Sequence, residues 1–245
     1  MTGLAIDDAA WASAWRLRSP ADKLLLSGGL VLAALVLPAW PGSVLVGLAA
    51  VVLALGPARV PARTFGRAVR LPLAFILIGA LTAVVQVGDG GLGWAPDAAA
   101  QAGGLVAHAV AGSAAVLLLA TTTPMSDLLP ALHRLRVPDA VVEVASVTYR
   151  MLFVLLTSLS TIREAQAARM GHAGLRNTYR SSGMLAAAVL TRSWDRARRL
   201  SDGLAGRGME TGLRVLPEVL PSSARFVATT VVGLAALVTV SLVAA

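Results

Sequence analysis

Hydrophobic positions along this chain gather into long runs dominated by Leu, Val, Ala and Gly: Leu24 to Ala39, Pro41 to Leu55, Leu71 to Val87, Ala102 to Thr122 and Ala224 to Ala245. A helix needs about 20 apolar residues to cross a hydrocarbon core of about 30 Å, so each run reads as a membrane span, the first two being short. Pro38 and Pro41 remove backbone donors and stop helices, which predicts a tight turn joining the first pair into a hairpin. The pattern predicts an all-α integral membrane protein with about five transmembrane helices. Residues 1–123 carry four spans, 124–217 form long cytoplasmic or interfacial helices between the fourth and fifth spans, and 218–245 supply the last span.

Composition agrees with that class. Hydrophobic residues make up 56% of the 245, charged residues 14%, and the mean hydropathy is +0.74, too apolar for an ordinary soluble domain. Basic residues flanking spans stay on the cytoplasmic side, and with the N-terminus inside, five spans place all of them there. Arg16, Arg18 and Lys23 precede the first span; Arg59, Arg63, Arg67 and Arg70 separate the second and third; 13 Arg fall between 124 and 215; Arg225 precedes the last. The outer segments keep only the Pro38 to Gly42 turn, the Gly88 to Ala100 loop with Asp89 and Asp97, and an uncharged C-terminal end. Trp11 and Trp15 are expected at the membrane interface, and the N-terminal stretch lacks the apolar core and cleavage pattern of a signal peptide.

A sixth run, Ala140 to Leu159, holds only Glu143 and Arg150 as charges. Arg at a helix centre costs roughly 2.5–3.5 kcal/mol on insertion scales. A span there would also move ten Arg, from Arg163 to Arg214, outside. It is therefore read as a long amphipathic helix in or under the cytoplasmic face. The net charge of +8 and the isoelectric point near 11.4 are accounted for by topology and anionic lipid headgroups. Nucleic acid is not expected, because phosphate-tracking proteins interleave Lys, Arg and aromatics on a soluble surface and only one Lys is present here.

Punctuation divides the inner segment. Thr123-Pro124 ends the fourth span, Ser126 and Asp127 are placed to cap a short helix to about Arg136, and Pro138-Asp139 opens a long helix to about Arg169, broken at Gly171 to Gly174. A further helix is expected from near Asn177 or Ser181 to Gly206-Arg207-Gly208. The two long helices end alike, in Ala168-Arg169-Met170-Gly171 and Gly206-Arg207-Gly208, 38 residues apart from Arg to Arg. Small neighbours allow close approach of another backbone, and a guanidinium offers a fixed fork for carboxylates. The simpler alternative is that Arg near a helix C-terminus complements the macrodipole and Gly stops the helix.

From Thr122-Thr123-Pro124 through Leu135-Arg136-Val137-Pro138 and Thr148-Tyr149-Arg150 to the two Arg motifs, the chain resembles the transmembrane T component of energy-coupling-factor (ECF) transporters, in particular the CbiQ-like proteins of cobalt and nickel uptake. The resemblance spans nearly the whole chain. That family ends its coupling helices in Ala-Arg-Gly tripeptides that contact two ABC-type ATPases. Carried over, the ATPase-binding positions are Ala168, Arg169, Met170 and Gly171, with Met170 in place of glycine, and Gly206, Arg207 and Gly208, with Gly206 in place of alanine. The resemblance implies a non-catalytic scaffold in a bacterial inner membrane that passes ATP-driven motion to a separate substrate-binding membrane subunit. The cargo it implies is cobalt, with biotin or another vitamin as the alternative.

The residues fit a chain that leaves chemistry to partners. No Gly-x-x-x-x-Gly-Lys-Ser/Thr loop is present, and Gly88-Asp89-Gly90-Gly91-Leu92-Gly93 reads as a turn, so ATP falls to partner ATPases and no cofactor is expected here. His108, His133 and His172 are widely spaced, Cys is absent, and no metal site or catalytic constellation is expected. His108 lies in the fourth span between Gly104 and Gly112, beside the Gly103, Ala107, Ala111 and Ala115 row; close helix packing with a hydrogen bond across helices is expected of it, an ion path being the alternative. A self-contained secondary transporter would need more polar groups at the bilayer midplane than His108, Gln86 and a few hydroxyls.

Overall fold

The computed structural model describes residues 5–88, 91–94, 98–132, 137–208 and 221–244. Among these the chain is helical apart from one short β-hairpin: α1 (Ala5–Ala12), α2 (Pro20–Val36), α3 (Val44–Leu55), α4 (Ala62–Val84), β1 (Val85–Gly88), β2 (Gly91–Trp94), α5 (Ala98–Thr122), α6 (Met125–Leu132), α7 (Asp139–Ala168), α8 (Leu175–Ala205) and α9 (Ala224–Val243). It divides into two compact units, residues 4–131 with 218–245, and residues 132–217 with the first three.

In the first unit, α5 is the central helix and packs against α2, α3 and α4. Its contacts are made by small residues. Ala111, Ala114 and Ala115 are buried, as are Ala50 and Ala54 of α3 and Ala34 of α2, with Leu30, Val46 and Leu118 filling between them. A Cβ on Gly47 would stand 3.4 Å from the Ala111 Cα, so the missing side chain sets how closely α3 and α5 approach. In lipid, where no hydrophobic force drives helices together, such van der Waals closeness and interhelical hydrogen bonds supply the association.

Those hydrogen bonds form a ladder between α2 and α5. The Lys23 Nζ donates to Thr122 O (3.0 Å), Ser27 Oγ donates to Ala115 O (2.7 Å), and His108 Nδ1 lies 2.7 Å from Ala34 O. On α5 the rungs fall at 108, 115 and 122, two turns apart each time, so they share one face. Ser43 Oγ lies 2.7 Å from the same His108 nitrogen and 3.2 Å from Ala34 O. A carbonyl only accepts, so Nδ1 carries the proton and shares it between Ala34 O and Ser43 Oγ, while the serine hydroxyl donates to Ala34 O. The cross-helix hydrogen bond expected of His108 is thus present.

The α2–α3 connection is a wide turn, Ala39–Ser43, in which Trp40 is extended (φ −121°, ψ 127°). At 17 and 12 residues, α2 and α3 measure about 26 and 18 Å, so α3 alone falls well short of a bilayer. The helices long and apolar enough to cross are α4, α5, α7 and α9. By length and composition α7 also qualifies as a span, as the low charge of its run Ala140 to Leu159 allows. Its hydroxyls are folded back on its own carbonyls, Ser146 to Val142 and Ser158 to Val154 among them, which hides their polarity.

Several expectations are corrected. The third apolar run was expected to begin at Leu71 and end at Val87; its helix starts at Ala62, takes in Arg63, Arg67 and Arg70, and stops at Val84. The Gly88 to Ala100 loop is partly a hairpin pairing Val85 with Trp94 and Gly88 with Gly91, its turn at 89–90 and the residues 95–97 lying outside the described residues. Trp15 is 6% exposed and packs edge-on against Phe226 of α9, ring centroids 5.4 Å apart. Trp11 is exposed, with the Arg16 guanidinium 3.8 Å above its ring. The short helix is described over Met125–Leu132, and residues 133–136, including His133 and the expected end at Arg136, lie outside the described residues.

Candidate docking surface at two helix ends

The second unit is built on α7 and α8, 30 and 31 residues long. Pro138 precedes the first turn of α7, where its missing N–H is no loss. Between the helices the chain reverses over Arg169–Gly174, with Gly174 at φ 90°. The reversal is tied by two crossed hydrogen bonds: Gln166 Nε2 donates to Ser181 O (2.9 Å), and Ser181 Oγ donates to Gly171 O (2.8 Å). Farther along, Leu159 faces Leu185, Ala186 and Val189 across an apolar groove.

Sequence reading placed the start of α8 at Asn177 or Ser181, as capping residues. It starts instead at Leu175 behind Gly174, because Ser181 is buried and spends its hydroxyl on the reversal, and Thr178 bonds back to Gly174 O.

The two Arg motifs share a left-handed residue directly after Arg and the hydrogen bond that its N–H makes three residues back. At the end of α7, Arg169 is the C-cap, Met170 takes φ 57°, and the bonds Met170 N–H to Ala167 O (3.1 Å) and Gly171 N–H to Gln166 O (2.8 Å) close a Schellman motif. At the end of α8, Gly208 takes φ 67° and its N–H bonds to Ala205 O at 3.0 Å, the same three-residue step. In each, the Arg N–H also reaches the carbonyl three residues back, Arg169 to Gln166 and Arg207 to Leu204. Each Arg therefore sits immediately before the left-handed residue that ends its helix.

That geometry explains both departures in the motifs. The residue after Arg must be left-handed, a conformation that costs an L side chain about 1–2 kcal/mol and glycine nothing. Gly208 meets the requirement freely; Met170 meets it under strain, its side chain 72% exposed. Gly171 answers a different need, since a Cβ there would stand 2.8 Å from both Gln166 O and Ser181 Oγ. Gly206 is in ordinary right-handed conformation (φ −63°, ψ −14°), so nothing local forbids the alanine it replaces.

Arg169 and Arg207 are both exposed, and neither guanidinium holds a hydrogen bond or ion pair among the described residues. The structure does not bring them together: the full length of α8, about 45 Å at 1.5 Å per residue, stands between the two ends. Two arginines so placed are two separate exposed cations, one at each end of α8. Among the described residues no cluster of His, Asp and Glu is placed to hold a metal ion.

Reading from the sequence missed the polar knot at the start of α2. Asp22 and Lys23 are both buried, at 4% and 2% exposure. The Asp22 carboxylate accepts from Ser222 Oγ (2.8 Å) and from Ser223 N–H (2.9 Å), holding the N-cap of α9, while Lys23 satisfies the last carbonyl of α5 and feels the opposite charge of Asp127. The Asp22-Lys23 pair next to the first apolar run was the available signal.

Comparison with known proteins follows the same residues. The family described as cobalt transport protein, CbiQ, matches residues 12–218. A cobalt transport protein CbiQ of Rhodobacter capsulatus is 42% identical over 216 residues, covering 88% of each chain. The CbiQ of Salmonella typhimurium is 29% identical over 83% of this chain and 95% of its own. A putative fused cobalt transport protein CbiMQ of Methanocorpusculum labreanum is 25% identical over 87% of this chain, which spans 37% of the fusion. With four helices of membrane-spanning length, both Arg-bearing helix ends and a family match over most of its residues, the chain belongs to the CbiQ cobalt transport protein family, as a CbiQ-like ECF T component.

Proposed function

We propose that this chain is the coupling subunit of an ATP-driven cobalt importer in the bacterial cell membrane. Arg169 and Arg207 dock two ABC-type ATPases, and the α7–α8 hairpin passes their motion to a separate substrate-binding membrane subunit. The observation that carries this reading is the pair of equivalent caps, each presenting one exposed, unpartnered guanidinium, separated by about 45 Å of helix. A cap that served only the macrodipole would need neither the repetition nor the exposure. The relative in which a CbiQ-like part is fused within a CbiMQ chain supports a second membrane subunit as partner.

In this reading the N-terminus and residues 124–217 are cytoplasmic, and α7 lies along that face despite its length, because crossing there would carry ten Arg outside. ATP is bound and hydrolysed by the partners. The carboxylates that receive Arg169 and Arg207 belong to the ATPases, and bidentate pairing would make each contact sensitive to charge and to geometry.

Co-expression with cassette ATPases from the same source, followed by purification through a tag on this chain, tests the proposal. Arg169→Glu and Arg207→Glu each place like charges at a contact, and the double variant is expected to lose ATPase copurification at least about 100-fold, at roughly 1.5–3 kcal/mol per charged contact. Equal recovery with the double variant and the wild type would overturn it.

A further inference from the structure

A cavity of about 240 Å³ opens between α3, α4 and α5 in the first unit. Val51 of α3, Phe65, Val69, Leu73 and Ile76 of α4, and Val110 of α5 make its walls. Arg70 borders it as the one charged lining residue, and Gly66, one turn earlier on α4, leaves its floor open. On the helical wheel Arg63 and Arg67 lie about 20° and 60° from Arg70 on the side away from the groove, so Arg70 is the cation at its edge and the other two flank it on the exposed face of α4. All three are exposed, and none has a hydrogen bond or ion pair among the described residues. Farther along α4, Leu71, Phe75, Ile78 and Leu81 are each more than 60% exposed, the surface of a helix that faces lipid tails.

We infer that this groove is a binding site for one anionic phospholipid, with an acyl chain in the cavity and the headgroup phosphate on Arg70, supported by Arg67 and Arg63. Charge decides the headgroup: unpaired cations beside an apolar slot favour a head of net negative charge over a zwitterionic one, in which a second cation offsets the phosphate. The lining decides the tail: apart from Arg70 and Ser113 it is apolar, and about 240 Å³ takes part of one flexible acyl chain. This inference rests on α4 being embedded in a bilayer and is independent of the coupling reading.

Gly66 supplies a variant that fills the slot without a clash, because nothing lies within 4 Å of where its Cβ would be. The full chain in detergent is titrated with phosphatidylglycerol or with phosphatidylcholine of identical tails, and bound lipid is counted by native mass spectrometry. The wild type is expected to hold one phosphatidylglycerol with at least about fivefold preference, the Arg70 charge at the groove's edge being worth about that factor. Arg70→Gln is expected to erase most of the preference by weakening phosphatidylglycerol more than phosphatidylcholine, and Gly66→Phe to reduce both lipids severalfold with the helical circular dichroism intact. Gly66→Leu provides the same test with less bulk. Inorganic phosphate is expected to leave the lipid in place. Equal binding of the two lipids to the wild type, unchanged retention in both Gly66 variants, displacement by phosphate alone, or loss only of a copurifying membrane protein would each overturn the proposal.

Discussion

The α2–α5 interface and the α7–α8 hairpin treat their cations in opposite ways. Lys23 is 2% exposed, donates to a helix-terminal carbonyl and sits beside the buried Asp22. Arg169 and Arg207 stand at helix ends too, yet both are exposed and neither has a partner among the described residues. A cation that the fold consumes is a structural part. One that the fold positions and then leaves unused is offered to something else. The contrast separates stability from recognition inside one chain, and each side can be tested alone.

The largest break should come at Lys23. Lys23→Ala removes a buried stem and leaves Thr122 O without its donor, which should cost roughly 2–4 kcal/mol, read as a lowered thermal midpoint in detergent. Next is Gly171→Ala, whose methyl must push apart Gln166 O and Ser181 Oγ; a loss of about 1–3 kcal/mol is expected, and an unchanged midpoint would show that the reversal is softer than its distances imply. Met170→Gly works the other way. Relieving the left-handed side chain should stabilise the end of α7 by about 1 kcal/mol, visible as slower amide exchange over residues 165–171. Smallest is Arg207→Ala, which should shift stability by less than about 0.5 kcal/mol because nothing inside the fold depends on it. A large effect there would collapse the comparison, making Arg207 a structural residue like Lys23.

Much of this was legible in the sequence because breakers are local. Pro138 and Gly171–Gly174 bracket α7 to within a residue of the expected 139–169, and the Arg motifs at the two helix ends were visible as repeated punctuation. The hairpin after α4 had a signal as well, Asp89-Gly90 between Val-Gln-Val and Gly-Leu-Gly-Trp, but an apolar run preceding it reads equally as continued helix. The α8 boundary was misplaced since a serine hydroxyl looks the same whether it caps its own helix or, as Ser181 does, reaches a neighbouring turn. The α2–α5 ladder was beyond reach for a deeper reason. Its acceptors are the backbone carbonyls of Ala34, Ala115 and Thr122, which every sequence possesses, so only the donors Lys23, Ser27 and His108 leave a trace. Each cross-helix bond of this kind in a membrane contributes only about 0.6 kcal/mol on average, but their common face makes them act together.

Three rungs at matching two-turn intervals work like the teeth of a rack. Sliding α5 along α2 by one turn would disengage Lys23, Ser27 and His108 at once and bring no new donor opposite the vacated carbonyls. Rotation of either helix would do the same. The rungs join the two helices along most of their shared length, from Thr122 at one end to Ala34 and the Trp40 turn at the other.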